Sequence, residues 1–291
     1  LVPTGHFARQ SGEALETFRL LSGKVATQLT GRPVEAKLPP SHVFTRAADW
    51  ERARRKAEAF DDQRYWSTYL RGTQRNPLGF DVLALTDEYD ELMTEQVEQL
   101  GLQSGERLLD AGCGTGNALA AIIRRWGHAA PALEIDAIDF VTHALDTARG
   151  KVSESAAEVG LPPQTVRFHV CDLSLPPDMP VLPFGDSAFD VVLVSLVLPY
   201  LPQPLRLLRE LARILRPGGR IVASTLRPDC DMSGPLMRLK EKIETGDGQI
   251  KEGWRARQLV LAVQDYVNAA AGLVEQEADG RFQFYERERF E

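Results

Sequence analysis

The chain has 291 residues, of which 43% are hydrophobic and 26% are charged, and its formal net charge is −7. This balance is ordinary for a globular protein, and the negative charge argues against nucleic acid as a main partner. No run of about 18 apolar residues occurs, so we predict no membrane span. The 3 cysteines and 5 histidines lack the spacing of a metal site or a disulfide framework. We therefore expect no metal and a reducing, cytoplasmic setting.

The N-terminal part of the chain predicts helices. Apolar residues at three- and four-residue steps indicate one helix over residues 12–29 and a longer one over residues 47–70. Charges of alternating sign along the longer helix favour a solvated face over a nucleic-acid patch. Near its end lie Tyr65, Trp66 and Tyr69, the aromatic cluster. Two interpretations of this cluster stay open, packing in a core or a lid over a ligand.

From residue 87 onward, strands and helices alternate. In chain order we predict a helix over 89–100, a strand over 107–110, a helix over 116–126, a strand over 133–139, a helix over 142–158, strands over 165–171 and 189–195, a helix over 203–215 and a strand over 219–225. Such alternation implies a parallel sheet with helices on both faces. The nearly all-apolar strand at 189–195 suits a central position. Beyond the strands we predict an irregular insert with a short helix over 228–253, a helix over 254–271 and an ambiguous tail over 280–291.

The turn after the first strand is the most informative segment of the chain. Residues 110–117 read DAGCGTGN, and residues 112–116 within them form the glycine loop, with a glycine at every second position. Glycine tolerates positive φ and lets a ligand approach bare backbone, and the next helix offers unpaired N–H groups. A dinucleotide-binding loop reads Gly-x-Gly-x-x-Gly and holds a pyrophosphate, which the Asp110 carboxylate would repel. The spacing therefore disfavours a nicotinamide oxidoreductase, and Asp110 suits an ammonium group.

Further motifs follow the glycine loop in order. The second strand ends in Asp139 and Phe140, and the third strand is followed by Asp172. The segments LPFGDSAFD at 182–190 and LRPGGRI at 215–221 lead into the fourth and fifth strands. Asp139 and Asp172 thus lie where their strands end, and a parallel sheet offers its ligand sites at the carboxyl ends of the strands.

Together these motifs resemble the class I S-adenosylmethionine (SAM)-dependent methyltransferases. Among these the sequence looks most like the type 11 small-molecule enzymes, such as the menaquinone and ubiquinone C-methyltransferases, over roughly residues 87–225. The resemblance implies a Rossmann-like, doubly wound, mainly parallel α/β sheet, SAM as cofactor, and in-line methyl transfer to a small-molecule acceptor. The resemblance does not cover the first 75 residues, for which the helical pattern predicts an N-terminal extension or lid over residues 1–75, followed by a methyltransferase core over residues 76–291.

The resemblance also assigns residues to the cofactor. Asp139 would hold both ribose hydroxyls, because a carboxylate accepts two hydrogen bonds. Glu134 and Asp136 are rivals on the same strand, but they lack the family's leucine and alanine at fixed distances downstream. Phe140 would lie against the adenine or pack in the core, and Asp172 would accept a bond from the adenine amino group or cap a turn. The residues expected to bind the cofactor are Asp110, Ala111, Gly112, Cys113, Gly114, Asn117, Asp139, Phe140, Cys171, Asp172, Leu173 and Ser195.

The sequence shows no catalytic triad, and methyl transfer between aligned reactants does not require one. The turn after the fourth strand would bring Tyr200 to face the methyl group. Tyr89, Tyr69 and Trp66 would close the site from the N-terminal side. The three tyrosines are the candidates for acid or base chemistry, with structural packing as the alternative for each.

Two alternative functions stay open. The chain begins with Leu1 rather than methionine, and no step into the last two strands of this architecture is visible, so we expect both ends to be missing. Such a piece could be the methyltransferase module of a larger multidomain protein that acts on a carrier-bound intermediate. A regulatory protein that binds SAM without catalysis is the other alternative.

Overall fold

The computed structural model describes residues 62–72, 74, 76–126, 133–161, 166–174, 182–228, 233–245 and 256–285. The predicted helix over 12–29 and the first part of the one over 47–70 lie outside these residues. The described residues belong to two compact units. The sheet unit comprises residues 62–71 and 90–226, and the helical unit comprises residues 72–89 and 227–285.

The sheet unit follows the predicted alternation. Its elements are α1 (Asp62–Arg71), α2 (Asp87–Gln99, whose first residues belong to the helical unit), β1 (Arg107–Ala111), α3 (Asn117–Trp126), β2 (Glu134–Asp139), α4 (Thr142–Glu158), β3 (Val166–Val170), β4 (Phe189–Ser195), a short 3₁₀ helix (Leu198–Tyr200), α5 (Pro204–Ile214) and β5 (Leu215–Ser224). Only β5 departs clearly from the prediction. It begins earlier because Leu215 already pairs with Phe189 of β4, before an irregularity shifts the register.

The five strands are parallel and lie in the order β3-β2-β1-β4-β5. The chain therefore runs outward from β1 to β3 and then returns to the other side of β1. Right-handed crossovers in these two directions place the connecting helices on opposite faces of the sheet. The predicted doubly wound α/β fold is confirmed. Its switch point lies between β1 and β4, where such sheets bind ligands at the carboxyl ends of the strands.

The core of the sheet lies on β1 and β4. Leu108 and Leu109 of β1 and residues 191–194 of β4 are fully buried. Burial of each large apolar side chain contributes about 1.5–3 kcal/mol to folding. Because β4 pairs with β1 on one side and β5 on the other, its apolar sequence is explained by burial on both faces.

The helical unit contains a 3₁₀ helix (Gly79–Leu85), α6 (Ser233–Thr245) and α7 (Ala256–Ala278). The ring of Phe80 packs against Tyr89 and Tyr266, with centroids 5.8 and 6.3 Å away. Helix α6 is the short helix of the predicted insert. Helix α7 extends well beyond its predicted end, because Leu273 continues the buried face that begins at Leu259 and includes Tyr266. The described residues after β5 include no strand, and the expected loss of the last strands stays a prediction.

Candidate cofactor site

The glycine loop leaves β1 at the carboxyl edge of the sheet and is bonded to β2. The N–H groups of Gly112 and Cys113 both donate to the carbonyl oxygen of Ile138, at 2.8 and 3.0 Å. The N–H of Gly116 donates to the carbonyl oxygen of Cys113 at 2.9 Å, just before α3 begins. These backbone bonds form the loop from the protein's own groups, so its shape does not require a ligand.

All three glycines of the loop have positive φ, as predicted, with 84° at Gly112, 51° at Gly114 and 81° at Gly116. Two of these positions are also crowded. A Cβ on Gly112 would lie 2.4 Å from Cγ2 of Val197, and a Cβ on Gly116 would lie 2.7 Å from that of Ala148. A Cβ on Gly114 would meet no atom within 4 Å in the part of the chain that the structure describes. The loop therefore opens at Gly114, where a ligand can reach the backbone.

Asp139 joins the glycine loop to the end of β2. Its Oδ2 accepts the N–H of Gly114 at 3.0 Å, and its Oδ1 accepts the N–H of Val141 at 2.8 Å. Burial raises the pKa of this carboxyl, although its backbone hydrogen bonds favour the charged form. Each oxygen has two lone pairs and retains the capacity for another donor. Asp139 thus lies beside the open part of the loop, and it also holds the loop, a role that the sequence did not indicate.

The two rival acids of β2 have other partners. Asp136 is 1% exposed and accepts hydrogen bonds from the side chains of Arg107, Arg167 and His169. Burial acts to raise the pKa of Asp136, but the bonds from Arg167, His169 and Arg107 outweigh it and lower the pKa to about 2. Glu134 accepts a bond from Arg167 at 2.9 Å. Both acids therefore neutralise cations of the neighbouring strands.

Asp110, near the end of β1, has a buried carboxyl group. Its side chain is 1% exposed, and neither oxygen has a partner among the described residues. Burial and the repulsion of Asp139 raise the pKa of Asp110 to about 7. A buried carboxylate without a partner costs free energy, and a ligand cation would remove that cost. A buried, negatively charged position beside the glycine loop suits the ammonium group that the sequence predicts for Asp110.

Asp172, in the turn after β3, is the third acid of the predicted site. Its charge contributes to the raised pKa of Asp139, so the two carboxylates lie close enough to repel each other. Its Oδ1 accepts the N–H of Ser174 at 2.8 Å, which is the turn cap considered as its structural alternative. The N–H of Cys171 donates to the carbonyl oxygen of Asp139 at 3.0 Å. Asp110 and Asp139 thus lie near the ends of β1 and β2, and Asp172 lies just after β3, the next strand of the sheet.

The remaining predicted cofactor residues lie along the same edge of the sheet. Ala111, Cys113 and Leu173 are buried, whereas Phe140, Cys171 and Ser195 are partly exposed. Burial raises the pKa of Cys171 to about 11. Burial, with the charges of Asp110 and Asp139, raises the pKa of Cys113 as well. Both thiols are therefore neutral at pH 7, which makes them poor nucleophiles.

Lys151, a residue of α4 that the sequence analysis did not single out, contacts the start of α3. The Nζ of Lys151 donates to Oδ1 of Asn117 at 2.6 Å and to Oγ1 of Thr115 at 3.2 Å. Lys151 follows Ala148 by three residues, so it projects from the face of α4 that packs against Gly116. The contact of Ala148 with Gly116 is known only from the packing of the two elements, so no local pattern in the sequence indicates this lysine. A lysine cation near the positive N-terminal end of a helix dipole is destabilising, so these two hydrogen bonds must offset that repulsion.

The three candidate tyrosines occupy different places. Tyr200 lies in the 3₁₀ helix after β4, with its ring centroid 4.6 Å from that of Trp66. Tyr69 lies parallel to Tyr65 at 6.2 Å and meets Trp66 at 5.5 Å. Tyr89 belongs to the helical unit, where it is buried. The structure therefore brings Tyr200 to the aromatic cluster, a contact between distant parts of the chain that local patterns do not reveal.

The turn between β4 and Tyr200 is strained and contacts the glycine loop. Leu196 has a φ of 55°, which residues other than glycine seldom adopt. Its N–H donates to the carbonyl oxygen and the Oγ of Ser224, at 3.2 and 3.1 Å. The next side chain, Val197, fills the space that Gly112 leaves by having no Cβ. This turn links the Trp66–Tyr200 contact to the cofactor site.

The described ranges contain neither a metal-binding cluster nor a membrane-spanning helix. No group of three or more His, Cys, Asp or Glu side chains there could hold a metal ion. No helix in those ranges combines the length and the apolar character that crossing a bilayer requires. These results concern only the ranges given above.

Comparison with known proteins identifies the domain. Residues 109–223 match the sequence profile of a family described as "Methyltransferase domain". The biotin biosynthesis bifunctional protein BioHC of Teredinibacter turnerae is 35% identical over 128 residues, 43% of this chain and 20% of that protein. Methyltransferase GfsG of Streptomyces halstedii is 30% identical over 152 residues, 52% of this chain and 48% of that protein. The demethylmenaquinone methyltransferase of Clavibacter sepedonicus is 33% identical over 136 residues, 47% of this chain and 45% of that protein.

The chain thus spans less than half the length of these curated relatives. The matched segment begins in β1 and ends in β5, so it contains the glycine loop and all three acids of the candidate site. Its parallel sheet has the order and the switch point described above. Over residues 109–223 the chain is therefore similar to the methyltransferase-domain family and to enzymes named as methyltransferases.

Proposed function

We propose that this chain transfers a methyl group from SAM to a small-molecule acceptor. The observation that carries the proposal is the carboxylate of Asp110, which is fully buried and has no hydrogen-bond partner in the described structure. It lies two residues before a glycine loop that opens at Gly114. An amino-acid ammonium group is the cation that such an acid suits, and SAM carries one.

The other residues of the site fit the rest of the cofactor. Asp139 retains lone pairs for the two ribose hydroxyls. Asp172 and the backbone of Leu173 would receive the adenine edge, with Phe140 against its face. Asn117 would lie near the amino-acid end, at the start of α3. Each of these assignments follows from the resemblance and agrees with the positions of the residues at one edge of the sheet.

Bound SAM would supply a methyl group on a positively charged sulfur, from which an aligned nucleophile displaces it in a single step. The chain's task is to align the acceptor, and alignment can contribute on the order of 7–11 kcal/mol. Of the three candidate tyrosines, Tyr200 is linked to the glycine loop through Val197. It is the candidate for positioning the acceptor or accepting its proton.

The relatives support a small-molecule acceptor. They include a demethylmenaquinone methyltransferase and a protein of biotin biosynthesis. The net charge of −7 argues against nucleic acid as the acceptor. Cys113 and Cys171 are free thiols, which favours a reducing, cytoplasmic setting.

Isothermal titration calorimetry tests the cofactor assignment. SAM and S-adenosylhomocysteine are expected to bind, and NAD is expected not to bind. Asp139→Ala should weaken the binding of S-adenosylhomocysteine at least about tenfold, since hydrogen bonds to a charged group are lost. Asp186→Ala is the matched control, because Asp186 is an exposed acid paired with Arg213.

Two results would contradict this proposal. Unchanged affinity in Asp139→Ala would remove Asp139 from the site. Tight cofactor binding without turnover of any small molecule in a cell extract would favour the regulatory alternative over an enzyme.

A further inference from the structure

Lys151 brings a positive charge to the start of helix α3. Its ammonium group donates a hydrogen bond of 2.6 Å to Oδ1 of Asn117, the first residue of α3, and one of 3.2 Å to Oγ1 of Thr115. The N-terminal end of a helix carries partial positive charge and favours anionic groups. A cation at this end therefore adds to the positive potential instead of reducing it.

The packing of α3 against α4 does not depend on Lys151. Ala148, one turn earlier in α4, is fully buried and occupies the space beside Gly116. Further along α3, Nη1 of Arg124 donates to Oγ of Ser155 at 3.1 Å and joins the same two helices. A lysine is thus not needed to hold these helices together, and its two bonds beside the glycine loop require another explanation.

The bonds of Lys151 orient the side chain of Asn117. In a carboxamide the oxygen and the nitrogen diverge from one carbon, so an Oδ1 that faces the ammonium turns Nδ2 away from it. Thr115 is 4% exposed, and the same ammonium fixes its hydroxyl. The ammonium, the Nδ2 group and the first N–H groups of the helix are all hydrogen-bond donors, which suit an anionic ligand group.

The opposite charge lies before the glycine loop. The side chain of Asp110 is 1% exposed, and neither of its oxygens has a hydrogen-bond partner in the described part of the chain. A buried acid in this state points to a cationic group of a ligand. The loop therefore has an acid before it and a cation after it. An amino acid carries an ammonium and a carboxylate on one carbon, and this order of charges complements both.

We propose that Lys151 is a positioning residue for the carboxylate at the amino-acid end of the cofactor. It holds the side chains of Asn117 and Thr115 and adds positive charge, so that the start of α3 favours an anionic group. The inference rests on the proposed function and specifies the part of the cofactor that this segment recognises. The chain should therefore distinguish ligands that have the carboxylate from ligands that lack it.

Calorimetry with two ligands tests the role of Lys151. One ligand is S-adenosylhomocysteine, and the other is its decarboxylated analogue, which keeps the adenosine, the sulfur and the amine. The wild type should bind S-adenosylhomocysteine at least about tenfold more tightly, because the analogue cannot accept hydrogen bonds through a charged carboxylate. Lys151→Met should remove most of this preference by weakening the binding of S-adenosylhomocysteine alone.

Two control variants separate this role from a general effect on the helices. Lys151→Arg retains a cationic donor and should keep most of the preference. Arg124→Met removes the other cation that joins α3 and α4, and it should bind both ligands as the wild type does. Circular dichroism melting verifies that each variant is folded.

A double-mutant cycle tests whether Lys151 acts through Asn117. Asn117→Ala and Lys151→Met should each weaken the binding of S-adenosylhomocysteine. The double variant should bind it no more weakly than the weaker-binding single variant, because both substitutions remove the same arrangement. Losses that add up independently would contradict the positioning role.

The outcomes distinguish this inference from the proposed function. If Lys151→Met weakens the binding of both ligands equally, or if the wild type binds both equally, the inference is wrong, while S-adenosylhomocysteine binding still supports the cofactor site. If the wild type does not bind S-adenosylhomocysteine, the proposed function fails, and this inference fails with it.

Discussion

Asp110 is a residue at which folding and ligand binding make opposite demands. Burial and the charge of Asp139 raise its pKa from 3.8 to about 7 in the folded protein. A raised carboxyl pKa means that the fold prefers the protonated acid. Its contribution to the free energy of unfolding therefore becomes less favourable as pH rises from about 4 to about 7. A cationic ligand instead requires the charged carboxylate.

Asp110→Asn should therefore stabilise the ligand-free protein and weaken binding. At pH 8 we expect a higher Tm, because the amide removes a buried charge, measured by differential scanning calorimetry. The affinity for S-adenosylhomocysteine should fall at least about tenfold, because the ammonium loses its charged partner. In the wild type this affinity should also fall as pH decreases through about 7, and the variant should lose that dependence.

Asp186→Asn serves as the control for Asp110→Asn, because Asp186 is 79% exposed. It should change neither the Tm nor the pH dependence of binding. A lower Tm in Asp110→Asn would show that the buried carboxylate has a stabilising partner, and it would contradict this account of the site.

Single-residue roles were predictable from sequence only in part. The order of the acids and the alternating glycines indicated where Asp110 and Asp139 would lie. The bond between Gly114 and Asp139 and the position of Lys151 were not indicated, because they depend on how β2 and α4 pack against the glycine loop. Pairings across elements are set by tertiary packing rather than by local pattern.

At the scale of elements, the glycine loop uses glycine for two reasons. At Gly116 the backbone has positive φ and Ala148 occupies the place of a side chain. At Gly114 the backbone also has positive φ, but the surrounding space is open among the described atoms. The first glycine serves packing between α4 and the loop, and the second leaves room for a ligand.

A pair of alanine substitutions separates these roles. Gly116→Ala should lower the free energy of unfolding by more than about 2 kcal/mol, since backbone strain and a steric clash add together. Gly114→Ala should cost only about 1–2 kcal/mol but should weaken the binding of S-adenosylhomocysteine, because its Cβ enters the ligand's space. Urea unfolding and calorimetry measure the two effects. Equal stability of the two variants, or undiminished binding by Gly114→Ala, would contradict this division.

The elements themselves were predictable where one physical factor dominates. The apolar run of β4 has one simple cause, burial on both faces, and its bounds were predicted correctly. The predicted end of α7 at residue 271 was too early, because the helix continues where Leu273 is buried. For β5, the LRPGG turn obscured the pairing of Leu215 with Phe189.

For the whole molecule, acid stability depends on the cations around Asp136. Its lowered pKa means that the charged form is favoured in the folded state. Asp136 therefore stabilises the fold above its ordinary pKa, and that contribution is lost as pH falls from about 4 to about 2. Acid should therefore weaken the pairing of β2 with β1 and with β3, because Arg107 and Arg167 lose their shared partner.

Asp136→Asn should lower the free energy of unfolding at pH 7 by about 1–3 kcal/mol, since it weakens hydrogen bonds to charged groups. The difference from the wild type should shrink as pH decreases towards 2, which urea unfolding at several pH values can measure. Asp146→Asn is a suitable reference, because the ion pair of Asp146 with Arg149 is exposed and should contribute little. A difference that is constant with pH would contradict the role of the Asp136 charge.

The overall fold was predictable because strands, glycine turns and helices alternate in one consistent order. The division into a sheet unit and a helical unit was not predictable in the same way. It brings together segments far apart in the chain, such as Phe80 and Tyr266. Contacts of that range depend on the shapes of whole helices, which no local motif specifies.

The left-handed backbone of Leu196 has a practical consequence for laboratory evolution. Relaxing one such residue recovers on the order of 1–3 kcal/mol. A selection for thermal tolerance alone should therefore favour glycine or asparagine at this position. The resulting looser hinge would let the ring of Tyr200 drift away from Trp66. Tryptophan fluorescence of such heat-tolerant variants should therefore report the loss of the Trp66–Tyr200 contact.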